Sequence, residues 1–233
     1  MQPSFVVPPV AGSGRPVGAL VGDALRRPGG RRAVSVLSVV LFLAGALMFG
    51  YPVGTDLYSR FHQGQLHQQF GDPQAGQQYR QNRVPVGDGL TRLRIPKIGL
   101  DVLVVQGTTA PALRAGAGHY ADTPLPGQPG NVGIAGHRTT YGRPFNRLDE
   151  LQPGDTVELQ TPFDVYTYRA LDPFGGHANP WVVLPTSYEV LGQDVQGSFL
   201  TLTTCHPKGS AKQRLIMRFQ MVGQRPVTKA DKT

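Results

Sequence analysis

The sequence predicts an all-β domain, either a barrel or a sandwich, preceded by a single transmembrane helix. From Leu90 onward, short β-branched and apolar runs alternate with Gly- and Pro-rich turns, and no long helical pattern interrupts them. Upstream, residues 33–51 read AVSVLSVVLFLAGALMFGY and contain no charged residue. As a helix this run would reach about 28 Å, close to the ~30 Å hydrocarbon core of a bilayer.

The residues flanking the apolar run predict its orientation. Four arginines lie between residues 26 and 32, whereas the first charged residues after the run are Asp56 and Arg60. The positive-inside rule then keeps the N-terminus in the cytoplasm and the rest outside the cell. We expect a disordered basic tail at 1–32 and a signal-anchor helix at 33–52. A cleaved signal peptide fits less well, because its apolar region is normally about 7–15 residues long and closer to the N-terminus.

The net charge of +8 raises the question of a nucleic-acid partner. Part of this charge lies in the arginines beside the predicted span, where anionic lipid head groups would attract it. The remaining basic residues are scattered and are not interleaved with aromatic residues. The sequence therefore predicts membrane lipid as a partner and no nucleic acid.

Residues 53–89 form a polar, Gln-rich connector between the span and the β-domain. Within it, Leu57, Phe61, Leu66 and Phe70 have the spacing of one helix face. Gly64 weakens a helix here. Two readings stay open, a short helix resting on the domain and a simple stalk.

The β-domain is predicted at 90–223, followed by a disordered tail at 224–233. In the last predicted strand Leu215, Met217 and Phe219 alternate with more polar residues, which indicates a half-buried strand. PLPGQPG and LQPGD supply turns. The predicted strands are LTRLRIPKI, LDVLVVQG, NVGIAGH, DTVELQT, VYTYRAL, SFLTLTT and RLIMRFQMV.

Cys205 is the only cysteine in the chain. Thiols outside the cytoplasm are usually paired, so a lone thiol there is either buried and inert or reactive. It follows the predicted strand SFLTLTT, and Arg214 opens the next strand after the loop HPKGSAKQ. If the two strands pair in antiparallel fashion, the thiol and the guanidinium face a common site.

Cysteine catalysis also needs an imidazole to take and return a proton. His137 ends the predicted strand NVGIAGH and is the first candidate, with His119 in GAGHY as its rival. His206 adjoins the thiol, but neighbouring strand residues point to opposite faces. The remaining histidines lie in the connector or in a Gly-rich loop: His62, His67 and His177.

Three separated stretches resemble the sortase family. TLTTC resembles the family's TLxTC signature, the arginine after a short loop matches its third catalytic residue, and GHYADTPLPGQPGNVGIAGHR is similar to the segment that leads to its histidine. The resemblance covers about residues 90–222 and is greatest to the class E sortases of high-GC Gram-positive bacteria. It implies a closed β-barrel of about eight strands with short helices.

The resemblance implies a role for each residue of the triad. Cys205 would attack the Thr–Gly bond of a C-terminal sorting signal and form a thioester. His137 would protonate the leaving amine and then deprotonate the incoming amine, and Arg214 would bind the substrate carbonyl or the oxyanion. The implied partners are surface proteins that carry the signal and a peptidoglycan precursor that supplies the amine.

Class E enzymes are associated with LAxTG signals, and this resemblance makes Tyr120 the candidate for recognising the Ala position. A phenol can bond a backbone amide that Pro lacks, although a tyrosine that only caps the core is the other reading. Thr203 and Thr204 belong to the signature and are also ordinary strand residues. We group them with His119 and Tyr120 as candidate substrate contacts.

No His, Cys, Asp and Glu cluster has metal-ligand spacing, so we expect neither metal nor cofactor. We also expect a monomer. Besides the transpeptidase, two functions stay open. One is a thiol hydrolase of the same fold that uses water as acceptor, and the other is a non-enzymatic surface barrel in which Cys205 is inert.

Overall fold

The computed structural model describes residues 28–173 and 176–232. Most of the predicted basic tail, residues 1–27, lies outside this range, so its predicted disorder stays a prediction. The chain divides into two units, with the boundary between Gly50 and Tyr51.

The first helix, α1, runs from Pro28 to Phe70 and contains the whole apolar run. It therefore begins inside the predicted tail. Its most apolar 18-residue window has a mean hydropathy of 2.4. By length and composition α1 is compatible with a single-pass membrane anchor.

The second unit is a closed β-barrel. Strands follow one another around the sheet in the order β6-β5-β1-β2-β3-β4-β8-β9, and an additional β6–β9 pairing closes the circle of eight, which confirms the predicted fold class. A ninth short strand, β7, pairs with β9 outside this circle. The strands are β1 Gly89–Ile95, β2 Leu100–Gln106, β3 Ala117–His119, β4 Gly130–Ala135, β5 Thr156–Gln160, β6 Asp164–Ala170, β7 Trp181–Val183, β8 Ser198–His206 and β9 Gln213–Pro226.

Apart from the end of α1, the helices described in this unit are short. The α-helices α2 and α3 span Pro73–Arg80 and Ala110–Ala115. Single 3-10 turns occur at Pro96–Ile98, Leu148–Glu150, Tyr188–Leu191 and Lys229–Lys232.

The period-two pattern of β8 and β9 separates a core face from an outer face. Leu200 and Leu202 of β8 and Met217 and Phe219 of β9 are completely buried in the barrel core. Burying one such side chain contributes about 1.5–3 kcal/mol. The intervening residues of β8 point the other way, so Cys205 lies on the outer face.

The connector continues α1 as far as Phe70, and it packs through half of the predicted apolar face. Leu66 is buried and Phe70 packs beside it, whereas Leu57 and Phe61 are 60% and 66% exposed. The hydroxyl side chains of Thr55 and Ser59 are buried in addition. Hydrophobic spacing predicts a helix face from its apolar residues alone, so it does not indicate the polar residues that are buried on this helix.

The C-terminal segment, predicted as a disordered tail at 224–233, is ordered as far as residue 232. Strand β9 continues to Pro226 and pairs there with β6. The Asp231 side chain is almost buried and accepts two hydrogen bonds from Arg225 and two from Thr228. The hydrogen bond from Arg225 is the main cause that lowers the pKa of Asp231. This polar C-terminal segment is held in place because the Asp231 carboxylate accepts hydrogen bonds from Arg225 and Thr228.

Candidate active site

Cys205 and Arg214 are direct partners across the β8–β9 pair. Residues directly opposite each other in antiparallel strands project their side chains to the same face. The thiol and the guanidinium therefore share the outer face, as the sequence predicted from the loop between them. Cys205 is a free, half-buried cysteine.

His137 reaches the same end of the sheet from the other side of β8. Strands β4 and β8 run parallel with Ala135 paired to Thr203. Beyond β4, the Gly136 N–H donates to the Thr203 carbonyl over 3.1 Å, so the register continues past the strand end. His137 and Cys205 follow Ala135 and Thr203 by two residues each, so both lie at the same end of the sheet on neighbouring segments.

The imidazole of His137 lies in a half-buried environment. Burial lowers its pKa, and the positive charge of Arg114 lowers it further. The ring of Tyr141 lies beside it, with ring centroids 5.2 Å apart. At neutral pH this imidazole is therefore mostly uncharged.

Arg214 holds its guanidinium near the β8–β9 loop. Its Nη1 donates to the backbone carbonyls of Ala211 and Gln213 over 2.9 and 3.0 Å. No carboxylate among the described residues pairs with it within ion-pair distance. Its charge is thus available to an oxygen that develops negative charge nearby.

Tyr120 and Thr203 meet on the outer face. The Tyr120 hydroxyl and the Thr203 hydroxyl are 3.0 Å apart, and Thr203 lies two residues before Cys205. Gly133 on neighbouring β4 leaves room for this arrangement, since a Cβ there would come within 2.9 Å of the Tyr120 ring and 2.8 Å of Leu191. The structure therefore brings two of the predicted substrate contacts together along the strand that carries the thiol.

The other two predicted substrate contacts, Thr204 and His119, lie elsewhere. Thr204 is buried, points away from the face of Cys205, and donates to the Gly136 carbonyl over 2.8 Å. Alternation along the strand explains this, because adjacent residues face opposite sides. Its hydroxyl fastens the end of β4 to β8 rather than facing a substrate.

His119 is fully buried, and both ring nitrogens have partners. Nδ1 lies 2.8 Å from Oε1 of Gln106 and Nε2 lies 2.9 Å from the Pro124 carbonyl. Burial lowers its pKa. A sealed imidazole can neither contact substrate nor exchange protons with Cys205, so the structure removes His119 as a rival to His137.

Arg138 is a residue of the site that the sequence interpretation missed. It is buried, and its Nη1 donates to the Cys205 carbonyl over 3.2 Å and to Nδ1 of His206 over 2.9 Å. Its Nη2 forms an ion pair with Asp149 over 3.0 Å. Arg138 directly follows His137, so it ties the loop after the imidazole to the strand end that carries the thiol. The sequence signal that could have indicated Arg138 is its position directly after His137.

The described residues contain no group of three or more His, Cys, Asp or Glu side chains that could hold a metal ion. A cavity of about 440 Å³ lies beside α2, lined among others by Phe70, Arg80 and Phe163. None of the three residues of the predicted triad lines it.

Comparison with known proteins gives a consistent result. A family model for the sortase domain matches residues 93–222, more than half of the chain. Sortase SrtE1 of Streptomyces coelicolor is 36% identical over 152 residues, which are 61% of this chain and 43% of that protein. Sortase SrtE2 of the same organism is 28% identical over 235 residues, covering 86% of this chain and 87% of that protein.

A solved structure of sortase E1 from Streptomyces coelicolor, with a tripeptide in its active site, is 34% identical with a TM-score of 0.54. The aligned part covers 60% of this chain and 91% of the sortase E1 chain. The chain spans less than half the length of SrtE1. These similarities confirm the resemblance to class E sortases. Because the sortase family model matches more than half of the chain, this chain belongs to the sortase family.

Proposed function

We propose that this chain is a membrane-anchored cysteine transpeptidase. It cleaves the Thr–Gly bond of an LAxTG- or LPxTG-type sorting signal and transfers the protein to the amine of a peptidoglycan precursor. The observation that carries the proposal is the β4–β8–β9 register: Cys205 pairs with Arg214 across β8–β9, and the β4–β8 pairing ends two residues before His137 and Cys205.

The first half of the reaction forms a thioester. Sγ of Cys205 attacks the threonine carbonyl, the carbonyl oxygen becomes negative, and Arg214 donates hydrogen bonds to it. Collapse of this intermediate breaks the C–N bond, and His137 gives a proton to the leaving glycine amine. The lowered pKa of His137 means that only a minor fraction of molecules carries this proton at neutral pH.

The second half of the reaction releases the thioester. The incoming amine attacks the thioester carbonyl and loses a proton to His137. A new amide bond forms, and Cys205 leaves as a thiolate beside protonated His137, the same thiolate–imidazolium pair from which the reaction began. The triad thus returns to its starting state with no net change in protons on the enzyme.

The membrane anchor determines which substrates can reach the catalytic domain. The arginines between residues 26 and 32 support a cytoplasmic N-terminus and a catalytic domain outside the cell. Surface proteins held at the membrane by a C-terminal sorting signal would present that signal near the barrel. A free thiol suits this location because, with no second cysteine in the chain, it cannot form an intramolecular disulfide.

The Tyr120–Thr203 pair is the proposed determinant of preference for LAxTG. A phenol hydroxyl near the thiol can accept a hydrogen bond from the backbone N–H of Ala, which Pro at the same position lacks. Thr203 orients the phenol because the two hydroxyls are already within hydrogen-bond distance.

Hydrolysis is the second candidate outcome for the same thioester. The exposure of Cys205 favours it, because water can also reach a half-buried site. The two outcomes differ only in the acceptor that attacks the thioester.

The experiment measures turnover of the full chain in nanodiscs. Fluorogenic LAxTG and LPxTG peptides are incubated with and without a glycine-based amine, and the products are identified by mass spectrometry. We expect cleavage that requires Cys205, and a ligated product when the amine is present. Cys205→Ala is the control for the nucleophile and should keep the wild-type melting temperature. Hydrolysed product alone at saturating amine would refute transpeptidation, and an intact peptide in both cases would refute the enzymatic proposal.

A further inference from the structure

The loop that follows His137 is held by the part of α1 just beyond the apolar run. Its backbone adopts the left-handed region at three consecutive residues, with φ of 53° at Tyr141, 74° at Gly142 and 50° at Arg143. Two of these residues carry a Cβ, for which this region is unfavourable. Such a conformation persists only where the surroundings impose it.

Asp56 of α1 supplies the constraint. Its Oδ1 accepts a hydrogen bond from the Gly142 N–H over 3.1 Å, and its Oδ2 accepts one from Nη2 of Arg143 over 2.8 Å. Both oxygens of one carboxylate are therefore committed to the turn. The approach is close, since a Cβ at Gly142 would lie 2.8 Å from Oγ of Ser59.

The helix that carries Asp56 is itself fixed to the barrel. The Ser59 hydroxyl donates to the Ala115 carbonyl over 3.3 Å. The Gln63 amide bonds to Leu103 through both of its ends, accepting from the backbone N–H over 2.8 Å and donating to the carbonyl over 2.9 Å. Leu66 packs in a small apolar cluster beside β2. The carboxylate is thus presented from a rigid element.

Tyr141 transmits this constraint to the imidazole. Its ring lies between His137, at 5.2 Å, and Tyr58 of α1, at 6.2 Å. The guanidinium of Arg114 lies 5.9 Å from the same ring. A turn that relaxed to negative φ would move this ring and remove the wall against which the imidazole rests.

We propose that Asp56 and Tyr141 are positioning residues for His137, so that the juxtamembrane part of α1 forms one wall of the active site. This inference rests on the proposed function for its kinetic consequence. The inference concerns a part of the chain outside the sortase match, which begins at residue 93 and therefore does not include α1. The anchor helix then both tethers the enzyme and orders its proton-transfer group.

The test uses full-length variants in nanodiscs. Asp56→Ala and Tyr141→Ala should each lower kcat about tenfold and leave KM within about twofold, because a misplaced imidazole impairs chemistry more than binding. Combining the two should cost no more than either alone, since both act on one group. Asp56→Asn should lose less, because its amide oxygen still accepts from Gly142.

Asp72→Ala is the matched control. Asp72 lies in the same connector and accepts a backbone hydrogen bond from Gln74 over 2.8 Å, but it contacts no part of the His137 loop. We expect wild-type kcat for it. An Asp56→Ala enzyme with unchanged kcat, or with a loss no larger than that of Asp72→Ala, would overturn the inference.

A second measurement is independent of turnover. In full chain labelled with ¹³C at histidine Cε1, Asp56→Ala should shift the His137 resonance and leave that of buried His119 in place. Asp72→Ala should shift neither. If the wild-type enzyme cleaved no sorting peptide, the proposed function would fail while this spectrum still decided the positioning role. An unshifted His137 resonance in Asp56→Ala would overturn it.

Discussion

Replacing Arg138 by Met should destabilise the barrel and slow catalysis together. The guanidinium is 3% exposed and makes hydrogen bonds to the Cys205 carbonyl and to Nδ1 of His206. Methionine fills much of the same space but donates nothing. Two acceptors near the reactive strand end would then lose their donor.

The magnitude follows from these contacts. Each acceptor left without its partner costs about 1–3 kcal/mol. The pair with Asp149, whose side chain is 41% exposed, adds at most about 1 kcal/mol. Removing the charge recovers part of this sum, because Nε of Arg138 is buried without a partner among the described residues. We expect the free energy of unfolding to fall by about 2 kcal/mol, which lowers Tm by about 4–8 °C in a unit of this size.

Thermal unfolding of the full chain, followed by near-ultraviolet circular dichroism, measures this change. Arg169→Met is the control, since Arg169 is exposed on β6. The same Arg138→Met sample should show a reduced kcat, because the loop after His137 is no longer tied to the end of β8. A melting temperature within 1 °C of the control, at about the precision of the method, would refute the buried-anchor reasoning.

Three further predictions address the chemistry. Arg214→Lys should lower kcat/KM by about 10²–10³ in the fluorogenic assay, because the charge remains but the fork of donors is lost, and near-normal turnover would contradict the oxyanion role. Tyr120→Phe should reduce the LAxTG-over-LPxTG preference about tenfold in competition assays, and an unchanged ratio would leave Tyr120 a core-capping residue. The pKa values of His119 and His137 are lowered, chiefly by burial, so the unfolded chain binds protons first as pH falls. The free energy of unfolding in urea should therefore decline as pH drops below the ordinary value of 6.5, and a flat profile between pH 7.5 and 5.5 would contradict that burial.

The β8–β9 half of the site was predictable from sequence because it is local. Alternation predicts the face of each residue, and a short loop favours antiparallel pairing, so a common site for Cys205 and Arg214 could be predicted; the exact register comes from the structure. The same alternation excludes Thr204 from that face, although its place in the signature suggested a substrate contact.

The choice between His137 and His119 was beyond local reasoning. His119 ends β3 and His137 follows the end of β4 by two residues, and both lie in Gly-rich stretches. What separates them is the parallel pairing of β4 with β8, which joins residues almost seventy positions apart and leaves no periodic trace in either strand. Position alone favoured His137 with His119 as its rival, the resemblance to sortases implied His137, and the sealed surroundings of His119 explain the distinction physically.

The contacts made by buried polar side chains were also not predicted from the sequence. The docked face of α1 depends on Ser59 and Gln63, and the ordered C-terminus depends on Asp231. Hydrophobic periodicity indicates which apolar residues are buried. It does not indicate polar side chains that are buried with partners from distant segments.

The most direct test of the central claim is to trap the covalent intermediate. Full chain is mixed with an LAxTG peptide in the absence of amine, quenched in acid and examined by intact-mass spectrometry and peptide mapping. Our account predicts a hydroxylamine-sensitive adduct, ending at the threonine of the peptide, on Cys205 alone and absent from Cys205→Ala. Peptide cleavage that proceeds equally well in Cys205→Ala would contradict it.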